Sequence, residues 1–130
     1  MALETAKAAG LLLTVALAGC QQAADAAPDF SCTNTLVELH CTAQGCAPTP
    51  AGEFTPMRLS RTNGVIELCA YSGCSDGEPD LTETRGALEL IHADLGAPTG
   101  AAAIVLDNST STATLRIDGF VVPMECDRPE

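Results

Sequence analysis

The sequence has little aromatic or basic character. It contains no tryptophan, one tyrosine and three phenylalanines, and Lys7 is its only lysine. The chain therefore lacks the aromatic platform on which proteins stack bases. Seventeen acidic residues against six basic ones give a net charge of −11 at pH 7, which excludes a basic patch for nucleic acid or anionic lipid. That charge suits a cationic protein as partner, although acidity on this scale also serves solubility alone.

Catalytic signatures are also scarce. No Cys-x2-Cys pair is present, which excludes a thioredoxin-like redox motif. His40 and Cys41 are adjacent, so on a strand their side chains point to opposite faces and do not form a nucleophile–base pair. With His92 as the only other histidine, a serine triad has no support, and we assign chemistry to neither histidine. We expect a non-enzymatic protein without cofactor or metal, and an envelope hydrolase is the weaker alternative.

The first nineteen residues have the layout of a secretory signal. Residues 11–18 form an apolar run too short to cross a bilayer, which takes about 20 apolar residues. The run follows Lys7 and ends in small residues, as a cleaved signal does. An ordinary cleaved signal with a chance cysteine after it is the alternative.

The end of this segment, Leu17-Ala18-Gly19-Cys20, resembles the lipobox of bacterial lipoproteins. The resemblance implies cleavage before Cys20, a lipid on its thiol and anchoring to a membrane by the acyl chains. Gln21 in the following position favours the outer membrane, facing the periplasm. We therefore predict a signal peptide over 1–19, a lipidated flexible tether over 20–29 and a folded domain over 30–130.

Removing Cys20 from the count leaves an even number of cysteines. Six cysteines in an oxidising compartment predict three disulfides, for which fifteen pairings are possible; they are Cys32, Cys41, Cys46, Cys69, Cys74 and Cys126. Two similar segments each end in Cys-x4-Cys with glycine before the second cysteine. The alternative is a tetrahedral zinc site built from those two pairs, although structural zinc sites mostly use Cys-x2-Cys.

Short alternating segments between turn signals predict an all-β domain. About seven short strands at this spacing indicate a small antiparallel sandwich or barrel. The strongest hairpin joins 54–60 to 65–71 across Asn63-Gly64, and a second joins 101–107 to 112–118 before a last strand over 119–126. Residues 35–41 alternate between apolar and polar, which predicts a strand with Val37 on one face and Glu38 and His40 on the other.

The segment 81–93 is harder to interpret. We expect one or two strands in which Leu88 and Leu90 face the core. A short helix over 87–95 is the alternative, because short apolar runs fit either structure.

An acidic loop follows the second Cys-x4-Cys pair. Asp76, Glu78 and Asp80 are a speculative binding site for a cationic partner. The segment lacks the twelve-residue pattern of a calcium loop, and a solvated turn is the plainer interpretation.

The cysteine pattern resembles that of small Cys-rich secreted bacterial proteins of unknown function. It consists of Cys32, Cys41 and Cys46, then Cys69-Ala70-Tyr71-Ser72-Gly73-Cys74, and Cys126 after Phe120. The resemblance implies a disulfide-bonded β domain with no assigned activity. The chain is also similar to the membrane-bound lysozyme inhibitors, which are disulfide-bonded lipoprotein barrels. It departs from their Ser-Gly-x-x-Tyr segment, since Tyr71-Ser72-Gly73 has another order.

These observations predict a cell-envelope lipoprotein that displays an acidic β domain for contact with a protein or wall component. An inhibitor of a cationic enzyme such as a lysozyme is the alternative, because the same charge would draw such an enzyme.

Overall fold

The computed structural model describes residues 27–34, 37–71 and 73–127, so the signal segment, Cys20 and most of the tether lie outside the described residues. Within these ranges the chain is all-β, as the sequence predicts, and 87–95 holds a strand instead of the alternative helix. The strands are β1 (Phe30–Thr33), β2 (Leu39–Thr42), β3 (Gly45–Pro48), β4 (Met57–Thr62), β5 (Val65–Ala70), β6 (Gly73–Gly77), β7 (Pro79–Arg85), β8 (Leu88–Asp94), β9 (Ala101–Asp107), β10 (Thr112–Ile117) and β11 (Phe120–Asp127). The count exceeds the seven expected because four of these strands have only four or five residues.

All strands belong to one antiparallel sheet that nearly closes into a barrel. Their order is β6-β5-β4-β1-β11-β10-β9-β8-β7, and the β2–β3 hairpin attaches to β11. β6 and β7 stand at opposite ends of this order, yet only Glu78 separates them in sequence. The chain thus passes directly from one edge strand to the other and brings the two edges together. At this seam a Cβ on Gly77 would clash with the carbonyl oxygen of Asp94, so the close approach requires glycine.

Both predicted hairpins are confirmed. β4 and β5 pair from Thr62↔Val65 to Met57↔Ala70. Asn63 and Gly64 between them have φ of 50° and 82°, the left-handed values that a two-residue hairpin turn demands. β9 and β10 pair across residues 108–111 as expected.

The core lies inside the barrel and is contributed by alternate residues of seven strands and by Leu95. Its largest fully buried apolar side chains are Leu59, Ile66, Ile91, Ile104, Leu106, Leu115, Val122 and Met124. Burying a side chain of this size contributes about 1.5–3 kcal/mol relative to leaving it exposed.

The predicted facing of β8 is wrong. Leu88 and Leu90 point outward and are 46% and 39% exposed, whereas Glu89, Ile91 and Ala93 point into the barrel. The strand period is two residues, so one choice of face fixes all the others. An inward Glu89 is tolerated because a buried arginine on another strand pairs with it.

That arginine is Arg61, the largest fully buried side chain, which lies on β4 and is 1% exposed. Its Nη1 and Nη2 donate to the two carboxylate oxygens of Glu89 at 2.6 and 3.2 Å. Its Nε and Nη2 also donate to the carbonyl oxygen of Pro28 at 3.1 and 2.9 Å. The guanidinium carbon lies 4.9 Å from the centroid of the Phe30 ring. Arg61 therefore joins β4, β8 and the segment that leads into β1.

Three disulfides each link residues that face one another on neighbouring strands. Cys32–Cys126 joins β1 to β11. Cys41–Cys46 and Cys69–Cys74 each close a hairpin, β2–β3 and β5–β6. Because the first bond spans 94 residues and the others five, loop entropy assigns about 4–5 kcal/mol to the first and about 2 kcal/mol to each of the others.

The barrel has two distinct ends. The near end carries the turns at 63–64, 86–87 and 108–111, and the chain joins β1 there through Pro28 and Asp29. The far end carries the turns at 43–44 and 118–119 and the connection 95–100. Asp29 Oδ1 accepts a hydrogen bond of 2.9 Å from the amide of Asn63, which holds the N-terminal segment at the near end.

Candidate functional site

The three acidic residues that we predicted as a binding loop do not lie on a loop. Asp76 is on β6, Asp80 is on β7, and Glu78 is the one residue between these strands. All three side chains are exposed, in a row along the seam of the barrel. They occupy every second position, the spacing at which strand residues share a face. The segment is thus a continuous acidic ridge instead of a turn.

The ridge is not uniformly available to a partner. The carboxylate of Asp80 lies 2.6 Å from Nδ1 of His92, across the β7–β8 pair. Asp76 lies opposite Glu67 on β5, and Glu67 in turn lies 3.6 Å from the guanidinium of Arg58. Neither Asp76 nor Glu78 has an ion-pair partner among the described residues, so of the three carboxylates only that of Asp80 contacts another charged or titratable side chain.

Unlike the acidic ridge, the far end of the barrel is concave. Two cavities lie there, and Phe120 at the start of β11 lines both of them. One cavity measures about 320 Å³ and lies at the barrel mouth. Its walls are mostly apolar and include Met57, Leu68 and Ile117, which extend the core toward solvent. Its polar rim includes Ser75 and Thr99, whose hydroxyls lie 2.8 Å apart.

The other cavity measures about 310 Å³ and lies under the loop that follows β3. Glu38 and Thr49 line it together with Phe120 and His40. Glu38 is 2% exposed and Val37 is 45% exposed, so Glu38 does not share the exposure of His40, although the predicted alternation placed both on one face. The alternation fails at these two residues because β2 begins only at Leu39. Within β2 the expected alternation holds.

Two polar atoms of this cavity have no hydrogen-bond partner in the part of the chain that the structure describes. They are Oε2 of Glu38 and Oγ1 of Thr49. A buried polar group without a partner costs about 1–3 kcal/mol, and a charged one costs more. Native proteins satisfy most such groups, so these two atoms mark the cavity as a place for a hydrogen-bond donor.

The loop that covers the cavity is held by backbone and amide hydrogen bonds. The amide of Thr49 donates to the carbonyl oxygen of Glu38 at 2.9 Å. Asn34 Nδ2 donates to the carbonyl oxygen of Thr55 at 2.7 Å, and Asn34 Oδ1 accepts from the amide of Met57 at 2.6 Å. The buried Asn34 side chain thus substitutes for strand pairing and folds residues 49–56 back over Glu38.

His40 forms part of the cavity wall and takes no role as a base for Cys41. Its ring stacks on Phe120 with centroids 4.9 Å apart and 25° between the planes. The sulfur of Cys41 is bonded to Cys46, so it is not a thiolate. The same argument removes the zinc alternative, because each Cys-x4-Cys pair closes on itself. Glu67, Cys69 and Cys74 have potential metal-ligand atoms within 4.8 Å of one another, but the two sulfurs are bonded to each other and do not offer thiolates to a metal.

One motif escaped the sequence analysis: residues 73–77 read Gly-Cys-Ser-Asp-Gly and match Gly-x-Ser-x-Gly. In hydrolases that motif forms a sharp turn between a strand and a helix, which exposes the serine. Here the five residues are strand β6, and Ser75 Oγ accepts a hydrogen bond from Thr99. The match therefore does not form a nucleophile elbow.

The charge of the described surface is weakly compensated. Three of the four described arginines form ion pairs with the chain's own glutamates: Arg58 with Glu67, Arg61 with Glu89, and Arg85 with Glu83. Within the described ranges, most of the other carboxylates have no cationic neighbour. One of them, Asp107, has its pKa lowered by hydrogen bonds from the Ser109 hydroxyl and amide.

Comparisons with known family models, curated proteins and solved structures found no match. No helix in the described residues has the length and apolar character needed to cross a membrane.

Proposed function

We propose that this chain is a non-enzymatic cell-envelope lipoprotein that displays an acidic β domain to bind a cationic partner. The observation that carries the proposal is the surplus of carboxylates left after three described arginines pair with glutamates. Without residues 1–19 the chain keeps five arginines and sixteen acids, so its net charge stays at −11. Such a field accelerates encounter with cationic proteins and disfavours anionic ones.

A lipid anchor at Cys20 would set the orientation of the barrel relative to the membrane. A chain attached there reaches the barrel through Pro28 and Asp29, at the near end. The far end, with both cavities beside Phe120, would then point away from the membrane. In this orientation a partner in the periplasm meets the cavities without competing with the lipid surface.

The anchor is tested by replacing Cys20 with Ser. We expect the variant to leave the membrane fraction and to lose the processing that produces the mature lipoprotein. Fractionation of cells and the mass of the recovered chain measure both effects. Membrane association equal to that of the wild type would refute the lipoprotein assignment.

Binding is tested with hen lysozyme as a cationic probe protein. We expect the affinity to fall clearly from low to high salt, mainly through the association rate, because exposed charges are screened within about 8 Å at physiological salt. Neutralising Asp76, Glu78 and Asp80 together should weaken binding without unfolding the domain. Salt-independent binding, or none, would argue against the proposal. Loss of lysozyme activity in the complex would select the inhibitor alternative over simple contact.

A further inference from the structure

The cavity under residues 49–56 is lined by two side chains whose buried oxygen atoms lack hydrogen-bond partners among the described residues. Glu38 is buried, and its Oε2 and the Oγ1 of Thr49 both lack partners within the described residues. Both side chains line the same cavity of about 310 Å³. An ionised carboxylate in such a place needs a charged donor more than a neutral one, because charge-assisted hydrogen bonds are about twice as strong.

We propose that this cavity receives the side chain of a lysine or arginine of the cationic partner, with its ammonium or guanidinium group on Glu38. The inference rests on the proposed function and names the contact by which that function would be carried out.

The walls of the cavity match the rest of such a side chain. Ala47, Pro48 and Pro50 supply apolar surface along one side, and Phe120 supplies it on the other. Lysine and arginine side chains pack their methylene stems on apolar surface while their heads seek an acceptor. The volume is at the small end for ligand sites, about 300–1,000 Å³, which suits one side chain better than a whole small molecule.

The charges around the cavity select a cation. Its lining contains two carboxylates, Glu38 and Glu53, and no arginine among the residues that the structure describes. His40 is the only basic group of the lining, and its ring is occupied in stacking on Phe120. An anionic side chain would therefore meet like charge and gain no strong donor.

The test uses the processed full chain in neutral detergent micelles and two side-chain analogues, n-butylguanidinium and n-butylammonium. Saturable amide shifts at His40, Thr49 and Phe120 are expected with both analogues, and n-butanol should not reproduce them. Glu38→Gln should weaken binding of the cations at least tenfold, about 1.4 kcal/mol. Glu125→Gln, which removes the same charge from an exposed position on β11, should leave the affinity unchanged.

A second variant and a stability measurement show whether weaker binding by Glu38→Gln comes from the lost contact or from unfolding. Thr49→Val keeps the shape of the side chain and removes the hydroxyl, so it should weaken binding less than Glu38→Gln does. Thermal unfolding should show that Glu38→Gln is at least as stable as the wild type, because it replaces a buried carboxyl oxygen that has no partner among the described residues by part of a neutral amide. Cation binding that survives Glu38→Gln, or that n-butanol matches, would overturn the proposal.

The same variants separate this proposal from the proposed function. Lysozyme bound equally by the wild type and Glu38→Gln would refute the cavity as the contact while leaving the acidic domain a binding module. Analogue binding that depends on Glu38, without any binding of cationic proteins, would refute the proposed function while leaving the cavity a cation site.

Discussion

Replacing Arg61 with Met is expected to be the most damaging single substitution on β4. The variant loses two hydrogen bonds to Glu89 and leaves that carboxylate inside the barrel without a partner. It also removes two donors from the carbonyl oxygen of Pro28, which lies at the exposed near end where water can replace them. Breaking a buried ion pair from one side costs about 3–5 kcal/mol.

That loss is large for a domain of this size. Small domains are stable by about 5–15 kcal/mol in total. One kcal/mol lowers the melting temperature of a 60–100-residue domain by about 4–8 °C, so Arg61→Met should lower it by about 12–40 °C. Thermal and urea unfolding followed by circular dichroism, under non-reducing conditions, measure the change.

Two further variants show whether the buried charge is the cause. Arg58→Met makes the same substitution three residues earlier, at an exposed pair with Glu67, and should cost no more than about 1 kcal/mol. Arg61→Met combined with Glu89→Met removes both charges and should recover much of the loss, since apolar replacements of buried ion pairs are often neutral or stabilising. An effect of Arg61→Met as small as that of Arg58→Met would refute the reasoning.

Two other predictions concern the seam and the surface. Gly77→Ala should lower the free energy of unfolding by about 1–3 kcal/mol, because its Cβ would clash with the backbone of Asp94. Gly52→Ala is the control in the same unfolding assay, because its added Cβ meets open space. Asp107 should titrate below the ordinary aspartate pKa, and Ser109→Ala should raise the pKa toward it, as carboxyl chemical shifts against pH would show. Because the pKa of Asp107 is lowered in the folded state, its ionisation slightly stabilises the fold at pH values above the unfolded-state pKa. This stabilisation is lost as the pH falls through the folded-state pKa. Titration of Asp107 at the ordinary value would contradict this.

The sequence was sufficient to predict features that depend on neighbouring residues. Asn63-Gly64 specifies its turn because both residues accept positive φ, and the flanking strands then pair in register. Asp118-Gly119 makes a similar turn between β10 and β11, with φ of 34° and 80°, and this signal could have been used. An even number of cysteines in the domain predicted three disulfides, whereas the pairing required the strand register.

Features that depend on distant residues could not be predicted in this way. The sequence predicted Leu88 and Leu90 as the inward pair, because nothing near Glu89 identifies Arg61, 28 residues away, as its partner. The burial of Glu38 depends on a loop that Asn34 holds in place, so the residues next to Glu38 in the sequence do not predict it. The closure of the barrel depends on a chain that leaves one edge and enters the other around Glu78, which periodicity does not reveal.

The most direct test of a far-end binding site is to map where a cationic protein touches the barrel. Lysozyme added to the ¹⁵N-labelled processed chain in neutral micelles should shift or broaden amide signals at the far end, around Thr49 and Gly119. Signals of the near-end turns, such as Asn63 and Gly86, should stay in place. Changes concentrated at the near-end turns, or no change at a lysozyme excess in low salt, would contradict the account.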